Sequence, residues 1–392
     1  MDGVGQRAHA SSAGSVVQAG RDVTMTVEHH VHPAAVWPVW VGIAVAVTAV
    51  GGLAIADVLA GGVLLRAVPV WTIPVACALV AALLSLRRKH RRSPSRQVFF
   101  VTSAFSQKYW LAGLVQRLHG VLDRNGIDLV LKVPDRDYDA AAQAHHLRRI
   151  VTASRDYVGG FVLASEVHRL RPDLVEFCAE LAVPVVFTDV EPFDDESRYP
   201  DNAAFVGYLS ADIGTLAGHW LVAHLKPKGL PRPHVLIVAS REHRDRQEQC
   251  AAVLRDGLTD VVITVHDGCA FCRSRAYDAV CSHVDLLDPG RDRLDAVFCT
   301  NDEMALGAVD ALRAANSPVT ADTVVIGVDG TLEVRTMIDD GTSPLRATVV
   351  QDSHRLAECA FHVLERMHNH RETSKRTILN PEVYQGRTTG GG

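Results

Sequence analysis

From Gln97 to the end of the chain, short apolar runs alternate with longer amphipathic ones, and this alternation limits the fold more than any other feature. The run VFFVTSAF (Val98–Phe105) reads as a strand, YWLAGLVQRLHGVLDRNG as a helix stopped by Asn125-Gly126, and IDLVLKV as the next strand. YVGGFVLAS, VPVVFTDV, AAFVGYLS, HVLIVAS, DVVITVHD, DAVFCTND, DTVVIGVDG and LRATVVQ continue the series, with helical spacers between them. Strands this apolar are buried on both faces, as in a parallel sheet covered by helices. The expected class is α/β, and the length calls for two doubly wound parallel-sheet lobes. No solenoid-type repeat is visible.

At 392 residues and 47% hydrophobic, the chain has enough apolar surface for one large or two medium domains. A formal net charge of -5 leaves no basic face for nucleic acid over the main body. Seven of the eight cysteines follow residue 170, scattered through strands and helices, a distribution that suits reduced thiols better than a disulfide framework.

The first third differs in kind. Residues 36–56 and 67–86 are charge-free runs, each long enough to cross a bilayer, which takes roughly 20 apolar residues. Each has a Trp near an end, where an interfacial anchor would sit. The juxtamembrane linker 87–96, RRKHRRSPSR, is densely basic, and such blocks stay on the cytoplasmic side and attract anionic lipid. Two crossings then make a multi-pass protein of the cell membrane with both termini in the cytoplasm; the alternative is an extracytoplasmic domain. The leader, residues 1–35, is expected to lack fixed structure. Its Val-Val-Gln-Ala-Gly core and Val/Thr alternation resemble leader motifs ahead of bacterial signalling modules, some of which stack as cross-β assemblies.

The segments DAVFCTNDEMALGAVDAL, VVIGVDGT and LRATVVQD, in that order, resemble the second lobe of the type I periplasmic binding proteins of the ribose-binding kind and the related LacI-type effector domains. VFFVTSAFSQKYWLAGLVQRLHGVLDRNGIDLVL is similar to the first strand, aromatic corner and helix of the same family. The resemblance implies a domain over 97–388, with lobe one at 97–210 and 352–376 and lobe two at 211–351 and 377–388. Three hinge strands would join the lobes around a clamped sugar.

Sugars need flat apolar surfaces for their C–H faces and bidentate polar groups for their hydroxyls. The resemblance places Tyr109 and Trp110 as stacking aromatics, with Phe271 as a third. It assigns the hydroxyls to Asp189, Arg246, Asn301, Asp329 and Gln351, with Arg244 as a rival register for Arg246. Asn301 stands where a strand turns into a helix, so a ligand contact, an N-cap or both are open to it. Asp302 and Glu303 suit the positive end of that helix. Three positions depart from the family. Ala164-Ser165 replaces an Asn, Val190 replaces an Arg, and Val328 replaces an aromatic, so the ligand is expected to be something other than ribose.

His266, Cys269, Cys272, Cys281 and His283 are spaced so that they could hold zinc, but only one CxxC is present and no metal is expected. No nucleophile elbow, P-loop or catalytic carboxylate pair is found, so neither catalysis nor a cofactor is expected. The expected function is membrane-anchored binding of a sugar or similar small polar ligand, signalled to a partner. The alternatives are a sugar receptor feeding an ABC permease from outside, and a LacI-like regulator; no helix-turn-helix is read before residue 97.

Overall fold

Val98, Phe99, Phe100 and Val101 have no solvent exposure, as strand residues covered by helices on both faces must. The computed structural model describes residues 16–19, 23–26, 96–104, 109–193 and 195–386. It divides into two units, Met1–Pro94 and Ser95–Gly392.

In the first unit, β1 (Val16–Ala19) pairs antiparallel with β2 (Val23–Thr26), Val16 opposite Thr26. Part of a leader expected to lack structure thus forms a two-stranded ladder; alternating β-branched residues on either side of Gly20 favour it. The charge-free runs 36–56 and 67–86, and all of the basic linker except Arg96, lie outside the described residues. Among the described residues no helix is long and apolar enough to cross a membrane.

The second unit holds two six-stranded sheets. In the first, β3 (Arg96–Val101), β4 (Ile127–Lys132), β5 (Tyr157–Val162), β6 (Val185–Thr188), β7 (Ala203–Tyr208) and β13 (Arg376–Leu379) lie in the order β4-β3-β5-β6-β7-β13. All neighbours there are parallel. Helices α1 (Tyr109–Arg124), α2 (Ala140–Thr152), α3 (Val167–Glu180) and α9 (Ser353–His368) cover this sheet. In the second, β8 (His234–Val238), β9 (Val262–His266), β10 (Ala296–Cys299), β11 (Val324–Asp329), β12 (Leu345–Val350) and β14 (Glu382–Tyr384) lie in the order β9-β8-β10-β11-β12-β14. Only the edge strand β14 is antiparallel. Its helices are α4 (Ser210–Leu225), α5 (Arg244–Gly257), α6 (Arg273–Asp285), α7 (Asp302–Ala315) and α8 (Leu332–Asp340).

The chain passes between the sheets three times: after β7, after β12, and between β13 and β14. The third passage differs from expectation. Residues 377–379 pair with β7 in the first sheet, Leu379 opposite Tyr208, so the crossing falls at Asn380-Pro381 rather than before residue 377. TILNPEVY carries two short strands on either side of a proline that has no N–H to give a ladder.

Local sequence accounts for the boundaries. Helix α1 stops where Gly126 takes φ 66° and the Asn125 side chain donates to the Val121 carbonyl at 2.8 Å. Helices α4 and α5 cross so closely that a Cβ on Gly214 would sit 2.1 Å from the Arg246 carbonyl oxygen. Gly214→Ala must therefore push α5 away. We expect a loss on the order of 1–3 kcal/mol in denaturant unfolding, typical of overpacking; unchanged stability would show that the helices are not held this close.

Candidate ligand-binding cleft

Strand order reverses between β3 and β5 in the first sheet and between β8 and β10 in the second. At such reversals the following helices leave on opposite faces and open a crevice at the carboxyl ends of the strands. Ser103, Leu163–Ser165, Ser240 and Asn301 stand at those ends, and all line one cleft of about 1230 Å³ between the lobes. Tyr109, Trp110, Asp189, Arg246, Phe271, Asn301, Asp329 and Gln351 line it as well, so the eight residues singled out in the sequence come together.

Lobe two supplies the polar floor. Asn301 caps α7, its Oδ1 accepting from the Met304 amide at 2.9 Å. Capping uses only the oxygen, which leaves the Asn301 NH₂ for the cleft. Asp302 does more than favour the helix dipole. Fully buried, it accepts from the Thr331 amide at 2.7 Å, the Thr331 hydroxyl at 2.9 Å and the Thr348 hydroxyl at 2.7 Å. Burial pushes the Asp302 carboxyl up to about 7, against the lowering effect of these hydrogen bonds. Glu303 lines the cleft, and burial followed by the neighbouring Glu333 carboxylate pushes it up to about 7, with Arg273 opposing.

One hydrogen-bonded chain runs through the cleft-lining groups. Arg246, 2% exposed, donates to the Thr300 carbonyl at 2.9 Å and to Gln351 Oε1 at 3.3 Å. Gln351 Nε2 donates to Asp329 Oδ1 at 2.9 Å, and the Gln351 carbonyl accepts from the Trp110 indole at 2.8 Å. The rival Arg244 is exposed and pairs with Glu248 on its own helix. Burial lowers the Arg246 guanidinium's affinity for its proton, and Asp189, Asp329 and Glu242 oppose that shift. Loss of solvation, then the Asp302 carboxylate, pushes Asp329 well above the usual carboxylate range, with Arg246 holding it down. Asp189 and Asp329 take positive φ, 67° and 118°, the kind of backbone strain that clusters at ligand clamps.

The lobes also meet across the cleft through residues the sequence reading passed over. His243 Nε2 lies 3.7 Å from Asp189 Oδ2, its Nδ1 is 2.9 Å from the Ser210 hydroxyl, and its ring is 5.4 Å from Phe271. Tyr138 reaches Ser240 at 3.2 Å, hydroxyl to hydroxyl. Within lobe one, Arg376 clamps Glu191 with two donors, and the Tyr199 hydroxyl donates to the same carboxylate at 3.1 Å. His243 stands three residues before Arg246 in a polar segment that the sequence marks only as helical, so its partner in the other lobe had no local signal. The Ala164-Ser165 corner is held from behind by Gln143, which accepts from the Ser165 amide at 3.0 Å and hydroxyl at 3.1 Å. Val328 is fully buried in its strand. Among the described residues no group of three or more His, Cys, Asp or Glu is placed to hold a metal, so the His266–Cys272 segment does not form the zinc cluster its spacing allowed. The seven described cysteines are free thiols.

The profile of the periplasmic binding protein domain family matches residues 98–372. A protein of Rhizobium meliloti named for rhizopine binding is 27% identical over 244 residues, 60% of this chain and 75% of its own. The HTH-type transcriptional repressor PurR of Mannheimia succiniciproducens is 37% identical over 280 residues, 71% of this chain and 77% of its own. Among solved structures, a periplasmic solute-binding protein of an ABC transporter from Actinobacillus succinogenes, with bound D-allose, superposes with a TM-score of 0.64 at 16% identity, covering 74% of this chain and 97% of that one.

Glu303 generates a pH prediction. Its folded-state pKa, about 7, lies above the ordinary 4.5, so the native fold favours the protonated form. That stabilising contribution is complete below the ordinary value and is lost as pH rises through about 7. Thermal unfolding from about pH 5 to about pH 8 should therefore show a smaller loss of Tm in Glu303→Gln than in the wild type. Superimposable pH profiles would remove the assignment.

Proposed function

Because the chain belongs to the periplasmic binding protein domain family, with 98–372 matching its profile, we propose that it is a non-catalytic receptor that clamps a sugar or similar small polar ligand between its lobes and signals from the membrane. The observation that carries this reading is the convergence of Asp189 from lobe one with Arg246, Asn301, Asp329 and Gln351 from lobe two on one cleft, with Tyr109, Trp110 and Phe271 on its walls. Planar acceptors and donors beside aromatic faces are what a ring of hydroxyls with apolar C–H faces requires. The D-allose bound by the A. succinogenes protein supports the ligand class, as does the rhizopine named for the R. meliloti relative.

The signalling role rests on the sequence ahead of the domain. The charge-free runs 36–56 and 67–86 act as two membrane spans, and the basic linker after them keeps the domain on the cytoplasmic side. Ligand closure then alters what the domain presents to a partner or to the leader. A second reading, the extracytoplasmic receptor of an ABC transporter, is favoured by the transporter origin of the A. succinogenes structure.

Two measurements test the proposal. A green fluorescent protein fused to the C-terminus should fluoresce while an alkaline phosphatase fused at the same place stays inactive; the opposite pair of results places the domain outside. The full-length protein should gain thermal stability with a monosaccharide or polyol, by about 2.7 kcal/mol at a ligand concentration of about 100 Kd. Tyr109 is 56% exposed, so Tyr109→Ala should fold normally. It should weaken that binding by about two- to tenfold, the worth of one aromatic contact.

A further inference from the structure

The one CxxC of the sequence, Cys269-Ala270-Phe271-Cys272, spans the turn between β9 and α6. The Cys272 amide donates to the Cys269 carbonyl at 2.9 Å, closing a β-turn whose central residues, Ala270 and Phe271, take φ 50° and 58°. Both are left-handed, the pattern of a type I′ turn, which glycine or asparagine would fill with less strain. Strain of this kind persists only where the surrounding structure holds it, and it clusters at functional sites. A β-turn brings its end Cα atoms within about 7 Å, and disulfides take Cα separations of about 4.4–6.8 Å. Both sulfurs also lie over the first turn of α6: Cys272 Sγ is 3.2 Å from the Ser274 hydroxyl, and Cys269 Sγ is 3.9 Å from the Arg275 carbonyl.

The two thiols differ in access. Cys269 is 3% exposed, and burial, followed by the neighbouring Cys272, pushes its thiol up to about 11. Cys272 is half-buried and stands at the N-cap of α6. Reactive cysteines sit at partly exposed helix N-termini of this kind. We propose that Cys269 and Cys272 form a reversible intrachain disulfide by exchange with a low-molecular-weight disulfide, and that this bond fixes the turn that presents Phe271 to the cleft. With glutathione disulfide as oxidant, the Cys272 thiolate attacks one of its sulfurs and releases one glutathione thiolate. The Cys269 thiolate then attacks Cys272 Sγ and releases the second. The two protons of the protein thiols pass to the departing glutathione thiolates. Two protein thiols are oxidised to one disulfide while one glutathione disulfide is reduced to two thiols. Phe271 lies between the sulfurs, lines the cleft, and has its ring centroid 5.4 Å from that of His243. A covalent bond across its turn removes backbone freedom at that wall of the cleft.

Among the other described cysteines, Cys178, Cys250 and Cys299 are buried, and the half-buried Cys281 and Cys359 lie on helices of different lobes. The test treats the full-length protein with oxidised glutathione, alkylates the remaining thiols and maps the tryptic peptides. Both cysteines fall in one peptide, Asp256–Arg273. That peptide should resist alkylation, weigh two hydrogen atoms less than its reduced form, and revert with dithiothreitol. Cys269→Ser should instead keep a glutathione adduct on Cys272, and Cys272→Ser should leave Cys269 reduced; the wild-type map alone decides if either variant fails to fold. Amide hydrogen exchange over residues 267–272 should slow several-fold in the oxidised protein. A peptide that stays reduced, a stable glutathione adduct on wild-type Cys272, or a bond from Cys269 to Cys299 overturns the pair. Unchanged exchange with the bond formed overturns its hold on the turn. Neither readout requires a sugar, so the result is independent of the receptor reading.

Discussion

The Asp302 carboxylate is the contact on which the cleft depends. It sits at the first turn of α7 with no exposure, and its oxygens tie the β10–α7 corner to Thr331 after β11 and to Thr348 within β12. Those three strand ends carry Asn301, Asp329 and Gln351, so one buried acid sets the spacing of three cleft-lining side chains. Room for it comes from Gly327, where a Cβ would lie 2.5 Å from Asp302 Oδ1. A carboxylate there costs desolvation, which its raised pKa expresses, and is kept because each oxygen meets a hydroxyl or amide donor.

From that base the floor is built outward. Gln351 uses both ends of its amide, accepting from Arg246 and donating to Asp329, which fixes its orientation without reference to a ligand. Its carbonyl holds the Trp110 indole, so an aromatic wall of lobe one is aligned by a strand end of lobe two. Such groups need little reorganisation when a ligand arrives, and preorganisation of this kind reduces the entropic cost of binding. Lobe one contributes Asp189, whose contact with His243 spans the cleft.

Much of this was legible in the residues. Apolar runs bounded by polar corners mark the strands, Asn125-Gly126 marks the end of α1, and the corner after β10 marks Asn301, while Asp329 and Gln351 came from the family resemblance. Those signals are local: a strand buried on both faces has to be apolar, and a ligand group has to follow its carboxyl end. The Asp302 role was not legible, because an acid in a helix's first turn has a sufficient explanation in the dipole. Nor was the placement of β13, since a strand of Arg376–Leu379 has the same composition whichever sheet it joins.

The sequence by itself determined the α/β class, the two lobes, and which strand ends could carry ligand groups, because period and burial are written residue by residue. The tertiary structure alone decided that His243 meets Asp189, that Gln143 fills in behind Ser165, that Tyr138 reaches Ser240, and that Arg246 is buried beside Asp189 and Asp329. Each of these joins residues far apart in the chain, and the energy of a buried charge depends on every group around it, which no local stretch of sequence contains.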